Sequence, residues 1–151
     1  MTTSELLVPT VDDLDSIVSD LVFTLDELPE RDAPNPTGVV QTIRGRVTIL
    51  GAQSCVVEVR LSLDGARLLA QAMFDLDPDV TSESDVRDAV GELANIVAGN
   101  TKSLADSDLA LGLPLTEAVP PTATPSSLLS TIHHWRGHDL IVTINPTGEQ
   151  P

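Results

Sequence analysis

The segment Asp88-Ala-Val-Gly-Glu-Leu-Ala-Asn-Ile-Val-Ala-Gly-Asn-Thr-Lys102 separates into two stripes when it is wound at about 100° per residue. The apolar stripe consists of Val86, Val90, Leu93 and Val97. The opposite, polar stripe consists of Asp88, Glu92, Asn95, Gly99 and Lys102. This segment therefore predicts one long helix that buries its apolar stripe in a core and presents the polar stripe.

The polar stripe is not an arbitrary mixture of charges. Glu92 places a carboxylate one helical turn before the carboxamide of Asn95, and the stripe then loses its side chain at Gly99. A glycine inside a helix costs roughly 1 kcal/mol relative to alanine, so its presence suggests that something approaches the backbone there. The pattern favours a docking face that carries chemistry, and the alternative is an ordinary solvated helix face.

The segments around this helix predict an α+β domain, with helices packed on one face of an antiparallel sheet. Helical spacing covers 10–28, with Thr10 as the N-cap, and 64–74, with Asp64 as the N-cap. Alternating or apolar runs predict strands over 39–50, 54–63, 109–115, 132–135 and 140–144. We expect a loose N-terminus over 1–9, a single domain over 10–147 and a tail over 148–151.

Charge and composition exclude several classes of protein. A formal net charge of −15 argues against binding nucleic acid or an anionic membrane, since both need basic residues that neutralise phosphates. No apolar run approaches the roughly 20 residues of a membrane span, and the start of the chain lacks a signal-peptide pattern. We therefore expect a cytoplasmic protein. The one cysteine, Cys55, excludes an internal disulfide and is expected in the core.

The histidines do not predict a metal site. Along an extended strand, His134 and His138 lie about 13 Å apart, since each residue advances about 3.3 Å. A turn at Gly137 could bring them together, yet no cysteine or further histidine completes a tetrahedral set. We expect this chain to bind no metal or other cofactor.

The polar stripe resembles the motif of the CheC/CheX-type chemotaxis phosphatases. That motif is an Asp or Ser, a Glu four residues later and an Asn three residues after that, which here are Asp88, Glu92 and Asn95. Its Gly-Asn-x-Lys continuation is similar to Gly99-Asn100-Thr101-Lys102, and Ala72-Met73-Phe74 and Gly112-Leu113-Pro114 are also similar to the family. The chain carries one motif helix, as CheX-type members do, whereas CheC-type members carry two.

The resemblance implies a phosphatase that hydrolyses the aspartyl phosphate of a CheY-type response-regulator receiver domain. In this interpretation Asn95 orients the attacking water and Glu92 pairs with the receiver's active-site lysine. Asp88, Gly99 and Lys102 contact the partner. The Mg²⁺ belongs to the receiver and not to this chain.

Three further expectations accompany this one. Asn100 projects toward the apolar stripe, and we expect it to be a structural residue that hydrogen-bonds backbone near the helix end. The alternative function is a non-catalytic module that binds receiver domains or signalling partners without hydrolysis. A further hypothesis is a homodimer, formed through an edge presented by the strands at 132–135 and 140–144.

Overall fold

The computed structural model describes residues 9–30, 40–51, 54–104, 109–120 and 129–146. Most of the expected loose N-terminus and the whole of the expected tail lie outside these residues. Within them, helices pack against one antiparallel sheet, which confirms the predicted fold class.

The helices are α1 (Val11–Leu25), α2 (Leu63–Phe74) and α3 (Glu83–Lys102), and a short 3-10 helix covers Pro78–Val80. The strands are β1 (Thr42–Leu50), β2 (Cys55–Ser62), β3 (Ala110–Leu111), β4 (Leu115–Val119), β5 (Leu129–Trp135) and β6 (His138–Pro146). The predicted strand at 109–115 is therefore wrong as one element. Gly112-Leu113-Pro114 interrupts it, because proline has no N–H for a sheet ladder and confines the backbone.

The sheet has the order β3-β1-β2-β6-β5, and β4 pairs with β1 beside β3. The β1–β2 hairpin lies in its middle, with Val47 opposite Val57. Strand β6 lies between β2 and β5, so the expectation that 140–144 presents an edge is wrong. Among the described strands β5 lies at one end of the order, because it pairs with β6 alone.

The core lies between the helices and one face of the sheet. Buried residues of β1 alternate with less buried ones, as the predicted period of two requires. Strand β2 departs from this alternation, because Glu58 and Arg60 on its other face are also buried and form an ion pair. Helix α3 crosses β1 closely at Gly45, where an added Cβ would lie 3.0 Å from Val90 Cγ1 and 3.1 Å from Val90 O. This close approach fixes the height of α3 above the sheet, and with it the position of the polar stripe.

Side-chain caps define the starts of the helices. Thr10 and Asp13 form a capping box at α1, and Ser82 and Asp85 form another at α3. The predicted Asp64 cap of α2 is wrong, because the cap is Ser62, whose Oγ accepts the N–H of Gly65 at 3.0 Å. Asp64 lies within the first turn of α2.

The β5–β6 hairpin holds α1 in place. Arg136 occupies the hairpin turn, stacks over the Trp135 ring at 4.9 Å and donates to the carbonyl oxygen of Leu28 at 2.6 Å. Asp15 of α1 accepts from Thr131 at 3.0 Å and lies 2.8 Å from His133 Nε2. The bond from Thr131, followed by that from His133, lowers the pKa of the Asp15 carboxyl.

Cys55 is buried in the core, as expected. Burial disfavours the thiolate and raises the pKa of this thiol to about 11. The side chain therefore behaves as a small apolar residue and not as a nucleophile at neutral pH.

Candidate functional site

Helix α3 turns its predicted stripes in opposite directions. Val90, Leu93 and Val97 are buried against the sheet and the other helices. Glu92 is exposed and Asn95 is half-buried on the opposite side. The predicted helix and its buried face are confirmed.

The structure brings the first part of the polar stripe into a cleft of about 440 Å³. Asp88, Glu92 and Asn95 line it from α3. The cleft is completed by Phe74 at the end of α2, by Arg87 and Gly91 of α3, and by Pro114 and Thr116 at the beginning of β4. Polar groups of the helix therefore share the cleft with two apolar side chains, Phe74 and Pro114, that come from distant parts of the sequence.

Within the described part of the chain, the side chains of Asp88, Glu92 and Asn95 make no hydrogen bond or salt bridge. Their neighbour Arg87 is different, because it pairs with Glu83 at 3.4 Å. Glu92 and Asn95 are one turn apart, about 4.5 Å along the helix axis. A carboxylate acceptor and a carboxamide that both donates and accepts are thus available to an external partner.

The sheet explains why Pro114 lies at this helix. Strand β4 pairs with β1 so that Thr116 lies opposite Gly45, and α3 crosses β1 at that same glycine. An added Cβ on Gly91 would lie 3.5 Å from Pro114 Cβ and 3.6 Å from Thr116 Cγ2. The beginning of β4 therefore packs on α3 at Gly91 and forms one wall of the cleft.

Gly99 and Lys102 continue the stripe along α3 but do not line the cleft. An added Cβ on Gly99 meets nothing within 4 Å, so packing among the described residues does not require a glycine there. Lys102 lies in the last turn of α3, where a cation interacts favourably with the helix dipole.

Asn100 is exposed, so the expectation that it projects toward the apolar stripe is wrong. The inward position at this turn belongs to Thr101, which is buried and donates to the Val97 carbonyl at 2.8 Å. Asn100 donates through Nδ2 to the carbonyl oxygen of Ile96 at 2.9 Å. Its side chain thus contacts the backbone of its own helix.

The histidines lie in separate contacts. His134 pairs with Asp139 at 2.7 Å, and His138 Nδ1 lies 3.2 Å from Ser62 Oγ. Among the described residues, no group of three or more His, Cys, Asp or Glu side chains is placed to hold a metal ion. None of the described helices combines the length and the apolar composition that a membrane crossing needs.

The sequence over residues 43–129 matches the family described as chemotaxis phosphatase CheX. This match covers more than half of the chain and includes all of α3. The chain belongs to the CheX family. Among curated protein sequences, none matches it significantly.

Solved structures of the family share the fold. The crystal structure of the chemotaxis protein CheX from Vibrio vulnificus is 15% identical, with a TM-score of 0.62 over 96% of this chain and 100% of that one. CheX from Desulfovibrio desulfuricans is 15% identical, with a TM-score of 0.64 over 90% of this chain and 97% of that one.

A third structure is a complex of CheX with CheY, BeF₃ and Mg²⁺ from Borrelia burgdorferi. It is 15% identical to this chain, with a TM-score of 0.56, and the match covers 90% of this chain and 94% of that one. CheX-family folds with and without a partner are thus similar to the structure described here.

Sequence reasoning did not assign Phe74, Arg87, Gly91, Pro114 or Thr116 to the site. Phe74 and Pro114 stood out in the sequence as parts of family-like segments. Their place in the cleft depends on the packing of α2 and β4 against α3, which local periodicity does not report.

Proposed function

We propose that this CheX-family chain hydrolyses the aspartyl phosphate of a CheY-type receiver domain. One observation carries the proposal: the motif residues Asp88, Glu92 and Asn95 line one cleft and have no side-chain partner among the described residues. Membership of the CheX family and the CheX–CheY complex from Borrelia burgdorferi support this choice of partner.

Asn95 is the residue to which we assign the catalytic step. Hydrolysis of an acyl phosphate depends on placing a water in line with the phosphorus, more than on covalent chemistry from the protein. A carboxamide suits this task because its oxygen accepts a hydrogen bond from the water while its N–H groups donate to nearby oxygens. The helical backbone fixes the Cα–Cβ bond of Asn95, from which the carboxamide would reach the attacking water.

Glu92 is assigned to docking. Its carboxylate would pair with the active-site lysine of the receiver and thereby set the register in which Asn95 enters. Asp88 and Lys102, at the two ends of the stripe, would act as orienting charges, and Gly99 would admit the partner's backbone. Mg²⁺ is assigned to the receiver, where it would offset the negative charge on the phosphoryl oxygens.

The decisive experiment follows the loss of ³²P from labelled CheY-type receiver domains of the source organism. It compares the unmodified protein, Asn95→Ala and a reaction without added protein. We expect Asn95→Ala to lower the single-turnover rate by about 10²–10⁴-fold, a range typical of one positioned catalytic group. Asn100→Ala is the matched control, because Asn100 is an exposed asparagine on the same helix outside the cleft.

Two outcomes would contradict the proposal in different ways. Full activity of Asn95→Ala would remove the role assigned to its carboxamide. Binding of a receiver with an unchanged phosphate lifetime would instead show a non-catalytic module, in which Glu92 contributes to affinity and Asn95 is dispensable.

A further inference from the structure

We infer that the two apolar side chains of the cleft, Phe74 and Pro114, form a docking contact that contributes to the affinity for the receiver domain. The inference rests on the proposed function, because it takes the receiver as the partner. The occupant is an exposed apolar side chain beside the receiver's phosphorylated aspartate. Glu92 and Asn95 would then contact the reacting centre of the receiver, and Phe74 and Pro114 would contact the surface around it.

Both phenylalanines of this chain are exposed, and Phe74 is the one that lines the cleft. The sequence contains two phenylalanines, one tryptophan and no tyrosine. Trp135 is 1% exposed and belongs to the core, whereas Phe74 is 40% exposed and lines the cleft. A half-exposed aromatic ring at the mouth of a polar cleft has apolar area that binding can still remove from water.

The position of Phe74 is fixed by the backbone. It is the last residue of α2, and the next residue, Asp75, adopts a left-handed conformation with φ 55°. The N–H of Asp75 donates to the Gln71 carbonyl, so the chain leaves the helix immediately after the ring. This arrangement holds the phenyl group at the cleft and keeps the following acidic segment from continuing the helix.

The position of Pro114 is also constrained. Pro114 packs near Gly91, where its Cβ lies 3.5 Å from the position of an added Cβ. Its ring restricts the backbone, so little freedom remains to be lost when a partner binds. The preceding residue, Leu113, is 86% exposed and lines a separate cleft together with Arg46 and Glu58.

The net charge of the chain is a reason to expect an apolar contribution to affinity. The chain carries a net charge of −15, and the phosphorylated site of its proposed partner is itself anionic. Long-range electrostatics therefore do not favour the encounter, and polar contacts at Glu92 and Asn95 replace contacts with water. Aromatic residues in a desolvated contact are the kind that most often dominate binding energy.

The test measures kcat and KM for phosphorylated receiver domains with Phe74→Ala and with Phe23→Ala. Phe23 is the matched control, since it is 71% exposed on α1 and does not line the cleft. We expect Phe74→Ala to raise KM by about 10- to 30-fold, the size of an aromatic hot-spot truncation, with kcat within about twofold. Phe23→Ala should leave both constants unchanged.

Two additions keep the test decisive. Phe74→Leu retains an apolar side chain and should recover most of the affinity, which separates loss of contact from loss of fold. The dissociation constant for receiver domains loaded with BeF₃⁻ and Mg²⁺, measured by fluorescence anisotropy, should rise in Phe74→Ala by the same factor as KM.

The outcomes separate the inference from the proposed function. An unchanged KM and dissociation constant in Phe74→Ala, with activity still lost in Asn95→Ala, would overturn the inference and leave the phosphatase standing. If receivers bind without being dephosphorylated, the dissociation constants alone decide whether Phe74 contributes. If no receiver binds or loses phosphate faster, both the function and the inference are overturned.

Discussion

The two faces of α3 differ in their relation to the rest of the chain. Leu93 is buried in the core that holds the helix to the sheet. Its neighbours Glu92 and Asn95 face the cleft and have no side-chain partner among the described residues. One face of α3 therefore packs in the core, and the other faces the cleft without contributing to packing. Substitutions on the core face should change stability, and substitutions on the cleft face should change binding or turnover of the partner.

The largest effect on stability is expected from Leu93→Ala. Removing this buried side chain leaves a cavity and should lower the free energy of unfolding by about 2–5 kcal/mol, measured by urea denaturation. Glu92→Ala is the adjacent control and should lie within about 0.5 kcal/mol of the unmodified protein. Similar losses in both variants would mean that the two faces do not differ in the way the structure indicates.

Gly99→Ala should change the free energy of unfolding by less than Leu93→Ala does, and should raise it instead of lowering it. An added Cβ meets nothing within 4 Å, so alanine should stabilise the helix by about 0.5–1 kcal/mol through its higher helix propensity. If a partner's backbone approaches there, KM for the phosphorylated receiver should rise at the same time. A gain in stability with an unchanged KM would remove Gly99 from the docking surface.

Gly45→Ala is the matched control for this glycine. Its added Cβ would lie 3.0 Å from Val90 Cγ1, so this variant should lose stability where Gly99→Ala gains it. If urea titrations show a lower free energy of unfolding for Gly45→Ala and a higher one for Gly99→Ala, then packing requires the glycine at 45 and not the glycine at 99.

The smallest effect is expected at Asp15, an exposed polar residue that does have partners within the chain. Hydrogen bonds from Thr131 and His133 lower its pKa, so the native state takes up the proton less readily than the unfolded state. The stabilisation is complete above the unfolded pKa of about 3.9 and is lost as the pH falls through the lower native value. In Asp15→Asn, the free energy of unfolding should therefore fall less steeply as the pH is lowered through the acid range.

The measurement is the urea midpoint from about pH 2 to pH 7, compared among the unmodified protein, Asp15→Asn and Asp20→Asn. Asp20 is another exposed carboxylate of α1 and serves as the control. An unchanged acid profile in Asp15→Asn would mean that the contact between α1 and β5 adds nothing measurable to stability.

Patterns within short segments of the sequence predicted the features of the fold that interactions within those segments stabilise. The stripes of α3, the Thr10 cap and the first two predicted strands depend on residues near one another in sequence, and the structure confirms them. One error arose where two neighbouring segments meet, at the start of α2. Asp64 was a plausible cap until Ser62, the last residue of β2, was found to hold the Gly65 N–H.

The sequence by itself determined that α3 is a helix with an apolar stripe and that Glu92 and Asn95 lie on its other side, because 3.6 residues per turn fix both facts. Only the tertiary structure decided that this side is a cleft. Phe74 and Pro114 are distant in sequence, and they meet at α3 because β4 pairs with β1 beneath the helix. Such pairing depends on contacts between distant segments, which a periodic pattern within one segment does not specify.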